Sequence, residues 1–355
     1  MRRPDWLWRP AHGLGERMLL WPLRVASWIY AAAAWLNRAS RSPRLLGARR
    51  LDCCVVSVGS PVVGGSAKTP TAAWVASGLA GRGHRVAIAI RGYGGRRARE
   101  PLVVSDGVEV VCDVASAGDE ALVLCSHAKG VPVVVARDRS AAGALAIERF
   151  GARVLVLDDG LAHRRLARDV EIVTLDAHHG LGNGFVLPRG PLREPLASLG
   201  RFDVFGVVDG PLAPDVARRL ERHTAGAFRY TAVRRAVAVQ PLAGGPMQDP
   251  SSLRGLEVGA LSGIAQPDGF VRSLETLGAR VVARREFADH HAYRPGDLAG
   301  LDREARLWIT TEKDAVKLSP AWLHGVDVQV LRIELEVEAG DELLDWLEGR
   351  IAGVS

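Results

Sequence analysis

Short, mostly apolar runs recur along the first two thirds of the chain, separated by segments with helical spacing. Residues 53–58, 86–90, 131–136, 154–157, 170–175 and 204–208 lack the polar alternation of half-exposed strands. They predict strands buried on both faces. Helical patterns over 68–81, 119–126 and 140–150 alternate with them, which predicts an α/β fold with a mostly parallel sheet flanked by helices. Ligands in such a sheet belong at the carboxyl ends of the strands. The pattern changes near Phe228. Residues 230–240 read as a strand and run into the turn-rich 241–250. Strands near 258–261, 281–287 and 307–310, a helix over 267–277 and an amphipathic helix over 341–351 predict a smaller α/β unit whose terminal helix docks on the body. The expected divisions are 1–50, 51–227 and 228–355.

Charge changes the picture mainly at the N-terminus. The formal net charge is +6 and comes from Arg far more than from Lys. Much of the excess lies in Arg2, Arg3, Arg9, Arg17, Arg24, Arg38, Arg41, Arg44, Arg49 and Arg50, which points to an anionic surface. Among these arginines, residues 21–36 form an apolar, aromatic segment interrupted only by Arg24. It is short for a full span, and its Trp and Tyr with flanking Arg fit a helix at the membrane interface. A core-packed helix is the plainer alternative. A cleaved signal peptide ending at Ala31-x-Ala33 is a third, against which Arg24 argues. Nucleic acid is not the expected partner, because the arginines surround an apolar segment rather than a recognition element. Cys53, Cys54, Cys112 and Cys125 have no metal-binding spacing and read as reduced thiols. The body is therefore expected on the cytoplasmic face of a membrane.

The candidate chemistry sits where the strand pattern puts it. Gly59-Ser-Pro-Val-Val-Gly-Gly-Ser-Ala-Lys-Thr69 joins the first buried run to a helix. This is the context of a P-loop NTPase: backbone N–H groups around phosphate, Lys68 on the terminal phosphates and the Thr69 hydroxyl on Mg²⁺. Val62 and Ala67 stand where that motif has its two flanking glycines, and an ordinary turn would need only Gly64 and Gly65. Residues 154–157 lead into Asp158, Asp159 and Gly160, a buried strand ending in carboxylates suited to a second Mg²⁺ contact. Asp119 and Glu120 open a helix, as caps or as a general base and a metal-organising group. Arg91 and Tyr93, among glycines, offer a phosphate or ring contact. The stretch Asp289-His-His291 suits a surface loop or a single acid/base His better than a metal.

Taken in order, Val-Gly-Gly-Ser-Ala-Lys-Thr-Pro70, Arg-Gly-Tyr-Gly94, Gly-Asp-Glu120, Leu-Asp-Asp-Gly160, His163, Arg-Asp169, Gly-Asn-Gly184, Leu-Pro-Arg-Gly-Pro-Leu-Arg-Glu194, Ala-Asp-His290 and Thr-Thr-Glu-Lys-Asp-Ala315 resemble the tetraacyldisaccharide 4′-kinase family, the lipid A 4′-kinases. The resemblance implies a membrane-associated kinase moving the γ-phosphate of ATP to the 4′-hydroxyl of a lipid A precursor disaccharide at the inner membrane. By the same resemblance Gly64, Gly65, Ser66, Lys68 and Thr69, with Ala67 among them, form the phosphate loop. Asp119 is the base, His290 supports it, and Glu120, Asp158 and Asp159 organise Mg²⁺. Asn183, Arg189 and Arg193 are candidates for the substrate side, where a lipid phosphate and a sugar need Arg forks and amides. Ser60, Ala67 and Ala162 depart from the family's Asn, Gly and Gln. A soluble small-metabolite kinase and a non-catalytic nucleotide-binding scaffold are the competing readings.

Overall fold

A computed structural model describes residues 13–40, 48–64, 67–93, 95, 100–163, 165–323 and 325–354. Gly65, Ser66, Gly94, Arg2, Arg3, Arg9, Arg41 and Arg44, all singled out above, lie outside the described residues. Helices α1 (Leu14–Leu19) and α2 (Trp21–Ser40) precede the main sheet. The chain then runs through β1 (Cys54–Gly59), α3 (Lys68–Gly81), β2 (Val86–Ile90), β3 (Leu102–Ser105), α4 (Val114–Ala117), α5 (Asp119–His127), β4 (Val133–Val135), α6 (Arg139–Phe150) and β5 (Val154–Asp158). Next come β6 (Val170–Asp176), β7 (Val204–Val208), α7 (Pro214–Glu221) and β8 (Phe228–Pro241). The remainder comprises β9 (Glu257–Ser262), α8 (Pro267–Thr276), β10 (Arg280–Glu286), α9 (Leu301–Glu304), β11 (Leu307–Thr311), α10 (Glu312–Ala315), β12 (Asp327–Val337) and α11 (Gly340–Ala352).

All twelve strands join one sheet in the order β10-β9-β11-β12-β8-β7-β6-β1-β5-β2-β4-β3. The apolar runs are parallel, and β1, β2, β4 and β5 are buried along their whole length, with one half-buried residue each in β6 and β7. Only β3 at the edge and the β8–β12 pair are antiparallel. Small residues let α3 lie close to the sheet, with Ala72, Ala73, Val75, Ala76 and Leu79 buried. A Cβ on Gly78 would lie 2.9 Å from Leu344 of α11. The terminal helix packs here, and its Leu343, Leu344, Leu347 and Ile351 share one apolar cluster with β1, β2 and α3.

The β8 strand carries the chain from one half of the molecule to the other. Its first residues pair with β7, and from Ala232 onward it pairs with β12. Because β12 runs against β8, and β9, β10 and β11 run with β12, the carboxyl ends of this second parallel block point back toward those of β1, β2 and β5. Residue 228 opens β8, a strand that pairs with both halves of the one continuous sheet. Below we call the two halves the core block and the second block.

The α2 helix lies on the core block by one face. Ser27 is buried, and its Oγ donates to the Val186 carbonyl at 2.9 Å. Met18, Leu19, Trp28, Ile29 and Leu36 remain exposed. Among the described residues, no helix is long and apolar enough to cross a membrane.

Candidate functional site

The phosphate loop leaves β1 under tight steric control. A Cβ on Gly59 would lie 2.3 Å from Leu161 Cγ, so the strand must end in Gly. Gly64 has φ +121°, and Ala67, which caps α3, has φ +57° and ψ +24°. The residue before Lys68 therefore adopts the left-handed conformation that favours Gly, and here it carries a Cβ.

Register brings the acidic pair to this loop, because β5 is the neighbour of β1 and Val58 stands opposite Asp158. The Thr69 hydroxyl donates to Asp158 Oδ2 at 2.9 Å, and Lys68 Nζ lies 3.2 Å from Asp159 Oδ1. Arg193 Nη1 donates to that same oxygen at 2.8 Å. Burial works to raise the Asp159 pKa, but Lys68 and Arg193 outweigh it and hold the carboxyl below the usual range. Asp158 behaves oppositely: burial pushes it up to about 7, with Glu120 and Asp159 adding to the push and Lys68 and Thr69 opposing it. Its Oδ1 is buried without a hydrogen-bond partner.

That bare oxygen and the Thr69 hydroxyl fit a Mg²⁺ site. Among the described residues no group of three His, Cys, Asp or Glu side chains is placed to hold a metal by itself. Mg²⁺ takes one or two protein oxygens and completes its shell with water and phosphate, so two adjacent protein oxygens suffice. A cation there would also remove the charge penalty on Asp158.

Asp119 opens α5 at the cleft between the blocks. Gly118 (φ +88°) precedes it, and a Cβ there would lie 2.4 Å from the Tyr93 carbonyl. A Cβ on Gly92 would lie 2.3 Å from Val135 Cγ1. The glycines around Arg91 and Tyr93 thus let that loop press against the start of α5. Arg91 is exposed, and the Tyr93 ring lies 5.4 Å from that of His290.

His290 arrives from the loop after β10, in a left-handed conformation (φ +60°). Its Nδ1 is 3.1 Å from both Asp119 oxygens. Lys313 Nζ, from α10, lies 3.3 Å from His290 Nε2, 3.3 Å from Glu120 Oε1 and 3.2 Å from Asp289 Oδ1. A carboxylate only accepts and an ammonium only donates, so Nδ1–H donates to Asp119 and Nε2 accepts from Lys313 when the ring is neutral. Burial works to raise Asp119, but the His290 bond and the charges of Lys313, His290 and Lys317 lower it. The Asp119 bond in turn raises His290. Burial disfavours the charge on Lys313, and Glu120, Asp289 and Asp119 outweigh it and raise its pKa.

The substrate candidates divide. Arg193 joins Lys68 on the Asp159 carboxylate. Asn183 spends its amide on its own loop, donating to the Arg189 carbonyl at 2.8 Å and accepting from the Phe185 N–H at 3.0 Å. Arg189 is buried beneath α2: its N–H donates to Ser27 Oγ at 3.1 Å, and its guanidinium lies 5.5 Å from the Phe185 ring. Arg24 of α2 approaches that ring at 5.2 Å. Besides Lys317, two residues of the site had no role assigned from the sequence. One is Lys313, quoted there only within a matching motif. The other is Arg139, which is 3% exposed, donates to the Asp158 carbonyl at 3.4 Å and is pushed down to about 10 by burial.

The family model for tetraacyldisaccharide-1-P 4′-kinase (LpxK) matches residues 18–352. The chain is 41% identical over 349 residues to the tetraacyldisaccharide 4′-kinase of Anaeromyxobacter dehalogenans strain 2CP-C, covering 95% of this chain and 92% of that one. It is 37% identical over 332 residues to that of Syntrophus aciditrophicus strain SB, with 89% of each chain covered. The crystal structure of LpxK from Aquifex aeolicus in complex with ATP superposes with a TM-score of 0.76 at 28% identity, over 94% of this chain and 99% of that one.

Proposed function

The chain belongs to the tetraacyldisaccharide-1-P 4′-kinase family, and from that membership we propose a mechanism in which Asp119 is the general base and the β1–α3 loop holds the donor phosphates. The protein is an ATP-dependent kinase that phosphorylates the 4′-hydroxyl of tetraacyldisaccharide 1-phosphate in lipid A biosynthesis, with ATP and Mg²⁺ as its cofactors. One observation carries the site assignment: Asp119 pairs with His290 across the two blocks, and Glu120 next to it is close enough for its charge to act on Asp158 in the Lys68, Thr69 and Asp159 cluster.

Asp119 takes the proton of the acceptor hydroxyl as that oxygen bonds to the γ-phosphorus, while the bond to the β–γ bridging oxygen opens and ADP leaves. His290 orients the carboxylate through Nδ1 and is itself held at Nε2 by Lys313. Lys68 carries positive charge to the transferred phosphoryl group, and Arg193 shares with it the grip on Asp159. Thr69 and Asp158 would hold Mg²⁺, which would supply positive charge against the phosphates, with Glu120 at the edge of that site. Arg91 and Tyr93 face the nucleotide from the loop after β2. The acceleration comes from positioning and electrostatics, with no phosphoenzyme. Residues 51–227 act as the kinase core, and 228–355 bring His290 to it.

The same reading puts the protein on the cytoplasmic face of the inner membrane. The exposed apolar face of α1 and α2 enters the interface, the arginines meet anionic headgroups, and Asn183 and Arg189 shape the loop on which the lipid lies. Transfer of labelled γ-phosphate to tetraacyldisaccharide 1-phosphate in mixed micelles tests the assignment. Transfer by the wild type and not by Asp119→Ala supports it, and equal transfer by both removes Asp119 from the reaction.

A further inference from the structure

Asp119 has a further cationic neighbour that the mechanism above does not use. Lys317 Nζ lies 3.6 Å from Asp119 Oδ2 and 2.9 Å from Asp314 Oδ1. The cluster is nearly sealed from solvent, at 8% side-chain exposure for Lys317, 4% for Asp119 and 0% for Asp314. Asp314 is itself fixed: its Oδ2 accepts from the Gly263 N–H at 2.9 Å and from the Thr311 hydroxyl at 2.7 Å. The Tyr293 ring flanks the ammonium, its centroid 5.3 Å from Nζ.

A buried ion pair contributes little net stability, because desolvation offsets most of the Coulomb attraction. The consequence of this one lies in where it puts a charge. Asp314 is anchored by two groups of the second block, the Gly263 N–H and the Thr311 hydroxyl, and the ammonium it holds reaches across to the core block. Around Asp119, the Glu120 N–H donates to Oδ1 at 2.9 Å, His290 Nδ1 faces both oxygens, and Lys317 takes the Oδ2 side. Lys313 acts from behind His290.

We propose that Lys317, anchored by Asp314, is a positioning residue for the reaction: it fixes the plane of the Asp119 carboxylate from the Oδ2 side. Without it, that side of the carboxylate loses its only lysine contact among the described residues, and the acceptor hydroxyl meets a base of uncertain orientation. Among the described residues no contact of Lys317 reaches Lys68 or Thr69, so its loss is expected to leave nucleotide binding unchanged. The inference rests on Asp119 as the base.

The test is a double-mutant cycle in the full-length protein with labelled ATP and lipid acceptor in micelles. Lys317→Met lowers kcat by about 10- to 100-fold, a part of the roughly 10²- to 10⁴-fold that a general base supplies, and leaves KM for ATP within about twofold. In single-turnover reactions, Lys317→Met has no further effect on the residual rate of Asp119→Ala. An equal fall in both backgrounds would mean that Lys317 acts independently of Asp119, and a wild-type kcat for Lys317→Met would mean that it does not position the base; either overturns the proposal. Lys317→Gln carries the same comparison if the Met variant does not fold. Wild-type turnover by Asp119→Ala would instead remove the underlying base assignment, a separate result read in the same cycle.

Discussion

His290 Nδ1 lies 3.1 Å from both carboxylate oxygens of Asp119, although 171 positions separate the two residues in the chain. Neither block contains the pair alone. The first residue opens α5 in the core block, and the second follows β10, which is turned back toward the core by the antiparallel pairing of β12 with β8. The Asp119–His290 pair thus forms only when the two carboxyl edges of the sheet face each other closely.

This dependence gives the first expectation. Asp119→Ala lowers kcat by about 10²- to 10⁴-fold, and His290→Ala lowers it less, because the base survives without its orienting partner. The double variant is no slower than Asp119→Ala, since residues acting as one unit are not additive. Steady-state kinetics of the three variants check this. A multiplicative loss would separate the two residues.

The second expectation concerns Asp158, whose pKa is pushed up to about 7 in the metal-free protein. A carboxyl raised above its ordinary 3.8 contributes stability below that value, and the contribution is lost as pH rises through about 7. Mg²⁺ binding needs the ionised form and releases the proton. Mg²⁺ with nucleotide should therefore raise the melting temperature more at pH 8 than at pH 6, and Asp158→Asn should abolish that difference. Calorimetry at the two pH values measures it.

How far the sequence discloses this site depends on the range of the interactions involved. The loop from Gly59 to Thr69 and the pair Asp158, Asp159 are legible because parallel strands buried on both faces read as plain apolar runs, and motif residues directly after them must fall at one sheet edge. Lys313 and Lys317 carry no such mark. Their place beside Glu120 and Asp119 depends on β12, and that strand lacks one clear period: Val328, Val330 and Leu331 are buried on both faces before the exposed Glu334 and Glu336 begin to alternate. The edge strand β3 offers only the three apolar residues Leu102, Val103 and Val104, and the helix α7 is too charged to form an apolar run. Asn183 marks the opposite limit, since an Asn between glycines suits a ligand and a turn equally well, and here its amide closes the turn.

A third expectation follows from Ala67. A non-Gly residue at φ +57° is strained by about 1–2 kcal/mol. Glycine removes the strain but gives back part of the gain through unfolded-chain entropy. Ala67→Gly should stabilise the protein by up to about 1 kcal/mol with KM for ATP unchanged or lower, whereas β-branched Ala67→Val should weaken both. Denaturant unfolding and ATP kinetics on the two variants give the comparison, and destabilisation by Gly would contradict the strain argument.

The last expectation separates the two faces of α2. Trp28 and Ile29 are 59% and 66% exposed, while Ser27 beside them is buried and holds the 183–189 loop through Val186 and Arg189. Placing charge at the exposed positions should leave the folded protein intact, because surface changes that disturb no packing stay within about 0.5 kcal/mol. It should nevertheless weaken insertion, since an acidic group opposes both burial in the interface and attraction to anionic headgroups. Trp28→Glu with Ile29→Glu is thus expected to abolish flotation with anionic vesicles while ATP binding and the melting temperature stay near wild type. Ser27→Ala should do the reverse, retaining the vesicle contact and loosening the loop beneath the helix by about 1–3 kcal/mol through the unsatisfied Arg189 N–H and the lost Val186 bond. Equal flotation of the wild type and the double Glu variant would mean that this face meets something other than the membrane.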